Sequence, residues 1–107
     1  MTLPKLVRDR IPTIIRNKDK LTAVTHRADD DEFRERLLDK CAEEADEVRG
    51  AFAAKNRDAV IEEVADLLEV VSALVDHVGF AQVQHARQAK ALKSGKFNLR
   101  TVLDEIV

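Results

Sequence analysis

"CAEEADEVRGAFAAKNRDAVIEEVADLLEVV", residues 41–71, holds two acid-rich helical patterns with a break between them. Ahead of the break, Phe33, Leu37, Leu38, Cys41, Ala45, Val48 and Phe52 recur near helical spacing. That spacing predicts a helix over about Asp31–Ala54. Asn56 and Arg57 interrupt the pattern, and Asp58 is the expected cap of the next helix, about Asp58–Val78. The central stripe of that helix is Val60, Val64, Leu67, Val71, Leu74 and Val78, widened by Ile61, Leu68 and Val75. So wide a stripe calls for neighbours on more than one side. The two long helices are expected to lie side by side and antiparallel.

Shorter elements flank this pair. Pro12 suits a first helical turn, which predicts a short helix over Ile11–Asn17. "KLTAVTHRA" alternates and carries β-branched residues, so it reads as an extended connector or one short strand. Asp29, Asp30 or Asp31 can cap the first long helix, where acids also match the helix dipole. Gly79 is the expected end of the second. A weaker, mostly polar helix is expected over Ala81–Leu92, followed by a basic loop and an apolar tail, "KSGKFNLRTVLDEIV".

Bulk composition agrees with helices packed on helices. The 107 residues suit one domain spanning 1–107. Charged residues make up 36% and aromatics 4%, with three Gly and two Pro, which leaves little for a turn-rich β-fold. A net charge of −2 gives no general pull toward nucleic acid or membrane. The single Cys41 cannot form an internal disulfide, in keeping with a cytoplasmic setting. No signal peptide or membrane-spanning run is expected.

The acids raise the chemical question. At about 100° per residue, Glu44 and Glu47 share one helix face, and Glu63 and Asp66 share another. Both pairs border the apolar stripes. Val70 continues the face of Glu63 and Asp66, which argues that this face is partly buried. For any one acid, a solvated face is the simpler reading. Four carboxylates converging on a helix interface, however, repel unless a cation joins them. Oxygen ligands alone favour a hard cation, Mg²⁺ or Mn²⁺. Lys40 lies one turn before Glu44, either as its i, i+4 partner or as a phosphate contact. Arg8, Arg10, Lys90, Lys93, Lys96 and Arg100 gather at the chain ends, to hold phosphates over the acids or as ordinary solvated charge. His26, His77 and His85 share no metal-ligand spacing, Cys41 reads as core, and no P-loop is present. Phe97, beside Gly95 in a polar loop, is the aromatic placed to meet a base.

Taken together, "EEADE" at 43–47 and "EVAD" at 63–66 resemble the EExxE…ExxD pattern of the MazG-like, all-α NTP pyrophosphohydrolases. The opening "KLVRDRIP" at 5–12 and the closing "KSGKFNLRTVL" at 93–103 resemble the small phosphoribosyl-ATP pyrophosphohydrolase-like group of that superfamily. Lys96 departs from the paired glycines usual before the phenylalanine. The resemblance implies a helical bundle whose Glu44, Glu47, Glu63 and Asp66 bind Mg²⁺ and carry catalysis. It implies Lys40 as a phosphate contact and assembly as a homodimer or homotetramer. The expected activity is Mg²⁺-dependent hydrolysis of a nucleoside triphosphate, of canonical or house-cleaning type, to monophosphate and pyrophosphate. Two alternatives stand beside it: a non-catalytic oligomerisation or regulatory module, and hydrolysis of phosphoribosyl-ATP itself.

Overall fold

The computed structural model describes residues 3–107. The described residues form four α-helices and no strand, so the fold is all-α. They are α1, Ile11–Asp19; α2, Asp30–Ala53; α3, Arg57–Val78; and α4, Phe80–Ser94. The chain divides into two compact units after Leu74.

In the first unit, α1 starts at Ile11 with Pro12 in its first turn, as expected, but runs past Asn17 to Asp19. Lys20 closes it in the left-handed region, φ 59°, with its N–H on the Arg16 carbonyl at 3.1 Å. Residues 21–29 carry no regular structure. "KLTAVTHRA" is therefore a connector and not a strand: a lone strand has no ladder partner in a helical unit, and Val24 is fully exposed.

The start of α2 is capped by Asp29, whose Oδ1 accepts the Glu32 N–H at 2.9 Å. Asp30, Asp31 and Glu32 fill its first turn, where negative charge meets the positive end of the dipole. The turn into α3 departs from expectation. Asn56, not Asp58, supplies the cap: its Oδ1 accepts the Ala59 N–H at 3.1 Å. Asp58 already lies inside the first turn of α3, too late to reach that donor.

Three residues of α2 are buried, and they recur every two turns: Leu37, Glu44 and Ala51. On α3 the buried residue is Val70, on the face shared with Glu63 and Asp66. Much of the expected core lies outside this line. Leu38 and Phe52 on α2 are exposed, as are Ile61, Val64, Leu68 and Val71 on α3. Of the stripe read as the centre of α3, Val64, Val71 and Val78 are thus exposed and Val60, Leu67 and Leu74 half-buried, while Glu63 and Asp66 are half-buried beside the buried Val70.

The segment before α1 is tied to α2. Arg36 donates from Nη1 to the Pro4 carbonyl at 3.1 Å and pairs with Glu32 at 2.9 Å. In the second unit, Gly79 ends α3 with φ 135°, a conformation that L side chains avoid, and its N–H reaches the Val75 carbonyl at 2.8 Å. Helix α4 is longer at both ends than Ala81–Leu92. Residues 95–107 form no helix or strand, and Leu99, Val102, Leu103 and Ile106 are exposed. No described helix is long and apolar enough to cross a membrane.

Candidate metal and nucleotide site

A three-residue turn joins α2 to α3, so the helices run back along one another. That brings the two acidic faces together. One carboxylate oxygen from each of Glu44, Glu63 and Asp66 lies within 4.8 Å of the others. Glu44 is 7% exposed, a rare placement for a carboxylate. Oε2 of Glu44 and Oε2 of Glu63 are buried and have no hydrogen-bond partner among the described residues.

Partners for this charge are few. Lys40 Nζ stands 3.7 Å from Glu44 Oε1, one turn upstream on the same helix. Arg8 Nη2 donates to Asp66 Oδ1 at 2.9 Å across 58 positions of sequence. Burial raises the Glu44 carboxyl above its ordinary range; the charge of Glu47 adds to this, and Lys40 opposes it. A hydrogen bond with Glu47, possible only while one of the two carboxyls holds a proton, pushes Glu63 up to about 7. Partial burial and the charges of Glu47, Asp66 and Glu44 act in the same direction. The site is therefore an excess of negative charge held partly out of water.

A divalent cation fits this donor set. All three converging groups offer hard oxygen ligands, as Mg²⁺ and Mn²⁺ prefer. Two of the oxygens are buried with nothing to bond, a cost that a cation removes.

The remaining expected residues are placed as follows. Glu47 is exposed and stands outside the three-oxygen group, although close enough to perturb Glu44 and Glu63. It also lines an open cleft of about 570 Å³ with Pro4, Lys5, Leu6, Arg36, Lys40 and Glu43. Arg10 is exposed at the start of α1 and makes no side-chain cap. Lys93, Lys96 and Phe97 belong to the second unit and are exposed, Phe97 almost completely. Sequence reasoning passed over Arg36, which fastens the N-terminal segment beside this cleft. Its partner is a backbone carbonyl 32 positions away, which leaves no mark in a periodicity. Glu43 is also a cleft residue.

Helix, short turn and helix with acids converging across the pair are consistent with the MazG-like all-helical superfamily of pyrophosphohydrolases. The family model for phosphoribosyl-ATP pyrophosphohydrolase matches residues 13–90, well over half of the chain, and the chain belongs to that family. Membership makes it a pyrophosphohydrolase acting on a nucleotide. Both acid motifs lie inside the match, whereas "KLVRDRIP" and the whole closing stretch lie outside it. No curated protein and no solved structure matches the chain significantly.

Proposed function

We propose that this protein hydrolyses a nucleoside triphosphate to the monophosphate and pyrophosphate with Mg²⁺, Mn²⁺ serving in its place. The observation that carries the reading is the buried, unpartnered Oε2 pair of Glu44 and Glu63 beside Asp66. Buried oxygens without a partner are uncommon in folded proteins, and a cation would satisfy this pair.

Glu44, Glu63 and Asp66 hold the metal. When bound, the metal supplies charge neutralisation of the polyphosphate and acidification of a water molecule. Glu47, exposed beside the other two glutamates, takes the proton of the attacking water. Water adds across one phosphoanhydride bond; its hydroxyl stays on phosphorus, and pyrophosphate leaves with the electron pair. Lys40 and Arg8 neutralise phosphate oxygens. The substrate class extends to non-canonical triphosphates of the house-cleaning kind, in a reducing cytoplasm.

The same reading includes a homo-oligomer, a dimer or a tetramer. Ile61, Val64, Leu68 and Val71 recur along one exposed stripe of α3, at a spacing suited to helix pairing. A L68E variant should lower the mass measured by light scattering at a fixed protein concentration.

The decisive assay is pyrophosphate release with Mg²⁺ across canonical triphosphates, modified triphosphates and phosphoribosyl-ATP. Single alanine substitutions at Glu44, Glu47, Glu63 and Asp66 should each abolish turnover in folded protein. Full turnover by all four variants sinks the assignment. Silence of the wild type on every substrate, with no metal-dependent rise in Tm, favours the non-catalytic module instead.

A further inference from the structure

Among the described residues, Asp66 takes a partner from outside the helix hairpin. Arg8 places Nη2 2.9 Å from its Oδ1, while Glu44 and Glu63 each keep a bare oxygen. The guanidinium therefore lies on the solvent side of the triad, where Asp66 is 44% exposed and Arg8 58% exposed. A carboxylate that ligates a cation gives up negative charge to it, so a guanidinium on the same carboxylate is held less strongly whichever oxygen the metal takes.

We propose that Arg8 is a placeholder cation, which partly neutralises the triad and must loosen its hold on Asp66 when a divalent metal enters. The proposal rests on the reading of Glu44, Glu63 and Asp66 as metal ligands. It gives the N-terminal segment a role in metal loading. The segment is fixed at one end by Arg36 on the Pro4 carbonyl and at the other by Arg8 on Asp66. Metal entry releases the second tie only. Pro4, Lys5 and Leu6 form a wall of the cleft that also contains Lys40 and Glu47, so the release alters a wall of the cleft beside the acids.

The alternative is a structural latch that persists when metal binds. The two differ in what removing Arg8 does to metal affinity. A half-exposed ion pair is worth about a two- to five-fold change in Kd once it no longer has to be broken. The experiment is calorimetric titration of full-length protein with Mn²⁺ alone, without nucleotide, for wild type, R8A, R8Q and R10A. R8A and R8Q should bind Mn²⁺ about two- to five-fold tighter than wild type. R10A removes the same charge two residues away, outside this ion pair, and should leave the Kd within error.

Equal affinity in wild type and both Arg8 variants overturns the placeholder while leaving the metal site standing. Equal tightening by R10A overturns it as well, since general charge then accounts for the effect. Weaker binding in R8A and R8Q makes Arg8 a structural support of the site and also refutes it. Absence of Mn²⁺ binding in every variant removes the metal reading and this inference together.

Discussion

Glu44→Gln tests the charge excess most directly, because it is expected to help the fold while it harms the function. Glu44 is buried, and its Oε2 has no partner. Its ionised form is disfavoured first by burial and next by Glu47. A glutamine keeps the shape, removes the charge, and offers an amide N–H₂ that can donate to Glu47 or Glu63. Relief of an unsatisfied buried acceptor is worth about 1–3 kcal/mol, and a new hydrogen bond about 1 kcal/mol. Against this stand the lost Lys40 pair, about 0.3–0.5 kcal/mol, and the burial of the amide's own polar atoms. The net expectation is a gain of about 1–2 kcal/mol in metal-free protein at pH 8. For a domain of this size that is roughly 4–16 °C in Tm. The assay is thermal unfolding in EDTA and in excess Mg²⁺, at one protein concentration because assembly also moves Tm. Wild type should gain from Mg²⁺ and the variant much less. If Glu44→Gln is less stable than wild type in EDTA, or gains equally from Mg²⁺, then Glu44 is not a strained ligand and the reasoning fails.

Three further outcomes follow from the structure. Metal-free stability should fall as pH rises from about 4.5 through 7. Over that range the folded Glu63 still holds a proton that the unfolded chain has released, so raising the pH favours unfolding. Glu32 acts oppositely: His26 and then Arg36 hold its carboxyl below the usual range, so its contribution is lost on acidification below about 4.5. Metal-free unfolding curves should thus show a maximum near pH 5, and Mg²⁺ should remove the decline above it; a flat metal-free profile from pH 5 to 8 contradicts the charge excess. Leu37→Ala, at a fully buried large side chain, should cost about 2–5 kcal/mol by urea unfolding. Asp29→Ala should cost about 1 kcal/mol, read in the same assay, through loss of the cap on Glu32 N–H.

The hairpin was legible because every local signal agreed. Asp29, the acids of the first turn, the break near Asn56 and the stop at Gly79 each favour the same helices. The inward tilt of the acid face was legible for one reason only: Val70 repeats the angle of Glu63 and Asp66, and it is buried. The fate of the apolar stripe was not. Periodicity finds a hydrophobic face but cannot say whether this chain covers it, and Val64, Leu68 and Val71 remain exposed. The cap was misassigned because Asn56 and Asp58 are both good capping residues, and only the register of the first turn separates them. The partnership of Arg8 with Asp66 lies beyond any local rule, since 58 positions separate them.

The four acids named from the sequence also turn out not to be equivalent, and their exposures explain how they divide the work in the proposed reaction. Glu44 is nearly sealed, so changing its ionisation means charging or discharging a site that water cannot re-solvate. Such a group is suited to stay ionised against a metal for the whole cycle. Glu47 is exposed, and gaining or losing a proton there is compensated by water at once. It also touches both neighbours electrostatically, so a proton arriving on Glu47 lowers the repulsion felt by Glu44 and Glu63 as negative charge builds on the phosphate. Exchanging the two roles would leave a buried group shuttling the proton and an exposed one anchoring the metal, the costlier arrangement on both counts. If Glu47 is the proton acceptor and not a ligand, Glu47→Gln should reduce kcat by at least about 100-fold while leaving the Mn²⁺ Kd nearly unchanged. Glu44→Gln should weaken Mn²⁺ binding itself. A loss of Mn²⁺ affinity in Glu47→Gln as large as in Glu44→Gln would return Glu47 to the metal and leave the proton to another group.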